Sequence, residues 1–376
     1  MSETDPRSPS RTSRRNAQGL FFPAAAAYTA VVAPLSVHGM WTGNAVVPAF
    51  TSATGHAHEL LFGFALAVIT GFLINRATRF TLGTLFALWS GGRLAFLLAP
   101  GSFASAVLNA GFAVCLATIV VPPFMKAAKK WRNQAIGPIL LATGGALLVF
   151  HLAQQGRLPA LGHLALREAV LVLALLMLFM GGRIIAPAAA RHIQTRGEHL
   201  DARVQPRLEG ALLLLIAAAI VTAPLPRLAV VAGVALIAAG AVALVRLVRW
   251  RLWWCADRDD LTGLGVGYAW LAVGLLLVGS ALAGGVPAIR TALHAITVGA
   301  LGTLSITVMV RTAILRAKRD PARLPGVPPA VVMIAAAAVL RIGWPATPSL
   351  MMAASLLWSA AFAIVLVTLV RTRMSL

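Results

Sequence analysis

Histidine is the residue type that could do chemistry in this chain: there are eight in 376 residues, against two cysteines and two tyrosines. The densest group is Gly55-His56-Ala57-His58-Glu59-Leu60-Leu61-Phe62-Gly63, and the others are His38, His151, His163, His192, His199 and His294. A neutral imidazole gives one ring nitrogen to a metal while a second acceptor holds the other, so convergent histidines would suit a haem iron or a copper ion. Singly, each is equally well read as a residue that packs between helices. Residues two apart on a helix point about 200° apart, so His56 and His58 cannot ligate one ion as regular helical neighbours. Either they serve two sites or His56 lies in the entry turn. Glu59 shares a face with His56 and could orient its imidazole, bind a hard metal, relay protons or cap the helix start. Phe62 and Gly63 would wall a flat macrocycle, or pack between helices. Cys115 and Cys255 supply no disulfide framework, no Cys-x-x-Cys pair and no Cys-x-x-Cys-His site for covalent haem.

The elements that must position these groups follow from composition. With 59% hydrophobic residues, 11% charged residues and a mean hydropathy of +0.85, a soluble globular protein is excluded. Apolar runs of about 20 residues match the thickness of a bilayer, and they predict an all-α, polytopic membrane helical bundle of about twelve transmembrane helices. The expected spans lie near 19–40, 57–75, 82–99, 102–124, 135–153, 163–186, 208–224, 227–248, 261–283, 288–310, 329–344 and 348–370. Lys and Arg crowd into the N-terminal tail and the loops after even-numbered spans and are scarce in the others. That alternation predicts both termini in the cytoplasm. The net charge of +21 is then an orientation signal and an anionic-lipid contact, and nucleic acid is not an expected partner. Residues 1–18 read as a disordered basic cytoplasmic tail, 19–370 as one transmembrane domain and 371–376 as a short cytoplasmic tail. Gly263, Gly265 and Gly267 have no preceding strand and read as close helix packing rather than a phosphate loop.

Topology gives each histidine a depth. His38, His56, His58, His151, His163 and His294 fall near the outer face, and only His192 and His199 lie inside. At about 1.5 Å per residue, His58, His151 and His294 come within roughly 10 Å of the outer boundary on helices that can converge, which makes metal binding the leading reading. Arg93, Arg167 and Arg183 fall within spans. Arg167 beside Glu168 suits interhelical ion pairs. Arg93 lacks an adjacent acid, so it either snorkels to water or meets an anion such as Glu59 or a haem propionate.

The order of motifs resembles the NnrS family of bacterial multi-pass membrane proteins over most of the chain. The motifs are HAHELLFGF from His56, GFL from Gly71, LWSGGRLAFL from Leu88, FHL from Phe150, LMLFMGGRIIAP from Leu176, GYAWL from Gly267 and LHAITVGALGTLSITVMVR from Leu293. The resemblance implies a protein of the bacterial inner membrane that contains haem and copper. Such proteins serve the response to nitric oxide and nitrosative stress and accompany denitrification. Carried over by motif, His56, His58, Glu59, Arg93, His151, Arg183, His294 and Arg311 sit in family-like positions. The expected cofactors are haem b and copper, and the metal-ligand candidates are His56, His58, His151 and His294, with Glu59 and Arg93 beside the cofactor. The expected partners are nitric oxide, the lipid bilayer and an unidentified electron donor. Two segments depart from the family pattern: Thr312-Ala313-Ile314-Leu315-Arg316 replaces a Gly-His-Thr-Gly-type loop, and the Asn-Trp-Thr-Gly stretch is replaced around Asn75 to Gly83. Two other functions are open. A nitric oxide reductase or quinol-linked carrier would need a third imidazole near a first pair, and a transporter would need inverted repeats and broken helices at mid-membrane.

Overall fold

The computed structural model describes residues 15–43, 46–127, 134–201 and 205–374, which omits residues 1–14 of the expected tail. Among the described residues there is no β-strand, and an isolated bridge joins Arg15 to Ala77. The helices are α1 (Gln18–Thr42), α2 (Ala53–His58), α3 (Leu66–Leu73), α4 (Arg79–Leu98), α5 (Phe103–Ala127), α6 (Ile136–Gln154), α7 (Gly162–Thr195), α8 (Pro206–Thr222), α9 (Ala229–Arg249), α10 (Asp259–Leu282), α11 (Ile289–His294), α12 (Leu301–Arg316), α13 (Val327–Gly343) and α14 (Pro348–Met374). Two π-helical segments, π1 (Glu59–Ala65) and π2 (Ala295–Ala300), weld α2 to α3 and α11 to α12 into continuous rods.

Each expected span falls on a helix. Ten rods are long and apolar enough to cross a membrane, whereas α8 and α13 have 17 residues each. This follows from the medium: without water to satisfy backbone groups, an apolar run must close its hydrogen bonds within itself. The ends are set by local chemistry. Ser52 Oγ accepts from the Gly55 N–H at 3.2 Å and Thr78 Oγ1 from the Thr81 N–H at 3.1 Å, capping α2 and α4. Helix α7 runs past the expected stop at Pro187, because Ala189 and Ile193 bury against Leu200, Cys255 and Leu261 in a small second core.

The rods pack mainly as sequence neighbours, α4 with α5, α6 with α7, α9 with α10 and α13 with α14. The chain closes by α14 lying along α1, where the Trp358 indole donates to Thr29 Oγ1 at 3.0 Å and Ser359 Oγ to the Ala30 carbonyl at 2.6 Å. The two segments that depart from the family pattern meet, since Arg316 donates to the Asn75 side chain. Gly263 and Gly267 do serve close packing: a Cβ at Gly263 would lie 2.6 Å from Thr307 Oγ1, and one at Gly267 would lie 2.7 Å from the Leu304 side chain. Gly267→Val is therefore expected to cost about 1–3 kcal/mol through overpacking. A lowered thermal midpoint in detergent checks this, and an unchanged midpoint would contradict the α10–α12 contact.

Candidate functional site

Each π segment begins immediately after a histidine. His58 precedes π1 and His294 precedes π2, and in both rods a glycine follows five residues later, Gly63 and Gly299. A π turn loosens the backbone ladder and is common at functional sites. Here it frees the Gly63 carbonyl, which accepts the Trp89 indole N–H at 2.9 Å. A Cβ at Gly63 would lie 2.9 Å from Arg93 Nη1 and 3.0 Å from Glu59 Oε2, so glycine is what lets the two charges meet.

The first site is a buried polar chain inside an aromatic wall. His58 Nε2 and His151 Nε2 are 3.2 Å apart, on α2 and α6. His58 Nδ1 donates to Glu59 Oε1 at 2.9 Å, and Arg93 Nη1 lies 3.2 Å from both carboxylate oxygens. The Tyr28 hydroxyl donates to Glu59 Oε2, and Arg93 Nη2 donates to Asn109 Oδ1. Asn109 is fixed in turn, its amide donating to the Gly92 and Ser105 carbonyls at 3.2 and 2.9 Å. His58 and Glu59 are fully buried, with His151 at 2% and Arg93 at 4% exposure. Phe96 stacks on the His58 ring at 3.6 Å and Phe150 at 4.9 Å, with Phe62 edge-on at 5.4 Å. Glu59 thus orients His58 and pairs with Arg93. It does not cap the helix, and Arg93 does not snorkel.

The second site gathers His56, which diverges from His58 as the helical geometry requires. Ser36 Oγ lies 2.9 Å from the Ala33 carbonyl and 2.7 Å from His56 Nδ1, and so hydrogen-bonds the imidazole. His294 Nδ1 donates to the Arg290 carbonyl at 2.7 Å, and its Nε2 accepts from Arg341 Nη2 at 2.9 Å. Both imidazoles and the guanidinium are close enough to interact electrostatically. His294 therefore joins His56, not His58 and His151 as depth alone suggests. Both histidines of the second site are half-buried.

The remaining candidates have structural partners. Arg167 bonds its own neighbour Glu168 at 3.4 Å and the Ala223 carbonyl at the end of α8 at 2.6 Å, so the acid pair lies within one helix and not between two. Arg183 meets Glu209 at 3.2 Å, and Arg311 meets the buried Asp260 at 2.9 Å. His192 pairs with Asp257 at 3.1 Å, while His38 and His163 are exposed. Sequence reasoning missed Tyr28, Ser36, Asn109 and Arg341. Arg341 counts by sequence as an outer-loop charge. Its signal is register, because Arg93 and Arg341 are each the fifteenth residue of their helix.

Such an all-helical bundle, with ionisable groups buried in apolar rods, is a multi-pass membrane protein whose polar interior is organised around imidazoles. The family model described as NnrS protein matches residues 19–374, and the chain belongs to the NnrS family. Comparison with curated proteins gives no match.

Removing one member of a buried ion pair strands the other at a cost of about 3–5 kcal/mol, more than removing both. Arg93→Met is thus expected to lower the thermal midpoint further than the Glu59→Gln/Arg93→Met double variant does. Equal losses would mean that the pair contributes no mutual stabilisation.

Proposed function

We propose that this chain is an integral membrane protein that binds haem b and copper and takes part in the response to nitric oxide and nitrosative stress. In this reading it crosses the bacterial inner membrane twelve times, with both termini in the cytoplasm and the metal sites near the outer face. The alternation of basic loops supports that orientation. One observation carries the reading: four imidazoles from three rods sort into two pairs, and His58 and His294 have Nδ1 held by an acceptor. That arrangement leaves Nε2 as the lone-pair nitrogen a metal uses, and at His294 a metal would take the place of Arg341, from which Nε2 accepts.

The donors fit both groups, at different sites. His58 Nε2 and His151 Nε2, 3.2 Å apart, are the nitrogens that would hold one small ion between them. His58 and His151 are buried and crowded by Phe62, Phe96 and Phe150, a tighter setting for a macrocycle than the half-buried second site. We therefore assign copper to His58 and His151, and haem b to the half-buried His56 and His294. Bound iron or copper would supply a centre for nitric oxide or for an electron.

The protein's own groups hold and shield these sites. Glu59 and Ser36 orient imidazoles, Arg93 neutralises Glu59, and Phe62, Phe96 and Phe150 keep water from His58. An apolar recess lined by Ala24, Val31, Leu35, Trp89 and Leu97 reaches Tyr28, which touches Glu59. It suits a small, uncharged, lipid-permeable ligand such as nitric oxide. A reductase would call for a further imidazole, and among the described residues no three His, Cys, Asp or Glu side chains surround one metal position.

Alanine variants separate the assignments by haemochrome and copper assays on detergent-purified protein. His294→Ala is expected to lose most of its haem and keep copper, and His58→Ala or His151→Ala the reverse, all with normal membrane insertion. Full haem retention in both His56→Ala and His294→Ala would overturn the haem assignment.

A further inference from the structure

The two histidine sites are local repeats of one design, and their difference is informative. In each, a histidine precedes a π segment, a glycine follows five residues later, and the fifteenth residue of the next long helix returns an arginine to the site. At the first site the residue after the histidine is Glu59, whose carboxylate receives Arg93. At the second it is Ala295. Arg341 therefore reaches a half-buried position without the counter-ion its counterpart has. Among the described residues no carboxylate lies within 4.0 Å of it, and the only hydrogen-bond partner found for its guanidinium is His294 Nε2.

A guanidinium held among apolar helices calls for an anion, since an unpaired charge at such a position is costly. Its planar fork matches two oxygens of a delocalised anion better than a spherical ion. Arg341 is only half-buried, which leaves part of its side chain accessible from outside the polypeptide. Arg290, nearby in sequence, is exposed and serves the site through its backbone carbonyl.

We propose that Arg341, flanked by His56 and His294, is a receptor for a two-oxygen delocalised anion, a carboxylate or nitrite-like oxyanion supplied from outside the polypeptide. The anion completes the second site as Glu59 completes the first. It has two sources, a free small oxyanion or a carboxylate of the haem assigned above, and only the second rests on that assignment.

Isothermal titration of the detergent-purified, as-isolated protein with sodium nitrite and sodium formate, at constant ionic strength against sodium chloride, tests the first source. Saturable binding to the wild type, weakened about tenfold or more in Arg341→Gln, partly restored in Arg341→Lys and unchanged in Arg290→Gln, supports a free oxyanion. If neither salt binds, haem is titrated into haem-depleted protein. Affinity about tenfold lower in Arg341→Gln, with the difference abolished for haem dimethyl ester, supports the haem carboxylate. No nitrite or formate binding together with equal haem affinity in wild type and Arg341→Gln overturns the proposal, as does an equal loss in Arg290→Gln. A protein that takes up no haem refutes the haem assignment, and the nitrite and formate titration then decides the receptor alone.

Discussion

The burial of one carboxylate governs the architecture of the part of the bundle that holds the histidines. Glu59 has no exposed surface, and an isolated charge there would cost far more than a helix contact returns. Arg93 neutralises it, Tyr28 and His58 fill its remaining lone pairs, and Asn109 fixes the arginine. These groups come from α1, the α2–π1 rod, α4 and α5, so one charge ties four helical rods to a common register. His58 can approach His151 in a single orientation because Glu59 already holds its other nitrogen.

The second constraint is angular. Because His56 and His58 diverge on their helix, one short motif must serve two sites, and the molecule supplies a different set of partners to each. Phe62, Phe96, Phe150 and His151 enclose His58, while Ser36 holds His56 at the more open side, where Arg341 bonds His294. The π segments let this happen without breaking the rods, by shifting the residues that follow each histidine out of regular register. Gly63 then admits Arg93 to the first site, and Gly299 lets the Trp270 ring of α10 pack against the second rod.

Much of this is legible in the sequence because lipid imposes strict rules. Apolar runs must be helices, and every expected span falls on one; buried charge must be paired, which makes Glu59 one of the partners open to Arg93. The divergence of His56 from His58 is also readable, as a choice between two sites and a looser entry turn, and both residues proved to lie in one regular helix. What could not be read is pairing across long separations. Depth puts His58, His151 and His294 on one level but cannot say which faces which, since azimuth around each helix depends on the π segments, and those have no simple composition signal. Arg341 illustrates the limit: near the end of a 17-residue helix it resembles a loop charge, and only its partner His294 marks it as part of a site. Tyr28 and Tyr268 offered a clue that reasoning from histidine passed over, since the chain has two tyrosines and both bond a buried charged group.

The central claim is that the outer half of the molecule holds two separate imidazole sites, one for a haem and one for a small ion. Electron paramagnetic resonance of the air-oxidised wild-type protein, purified from haem-replete cells, tests it most directly. The account requires a low-spin ferric haem signal of two-imidazole ligation beside a distinct copper signal with nitrogen splitting. A colourless, metal-free protein, or a single metal signal lost in every one of the His56, His58, His151 and His294 variants, would contradict it.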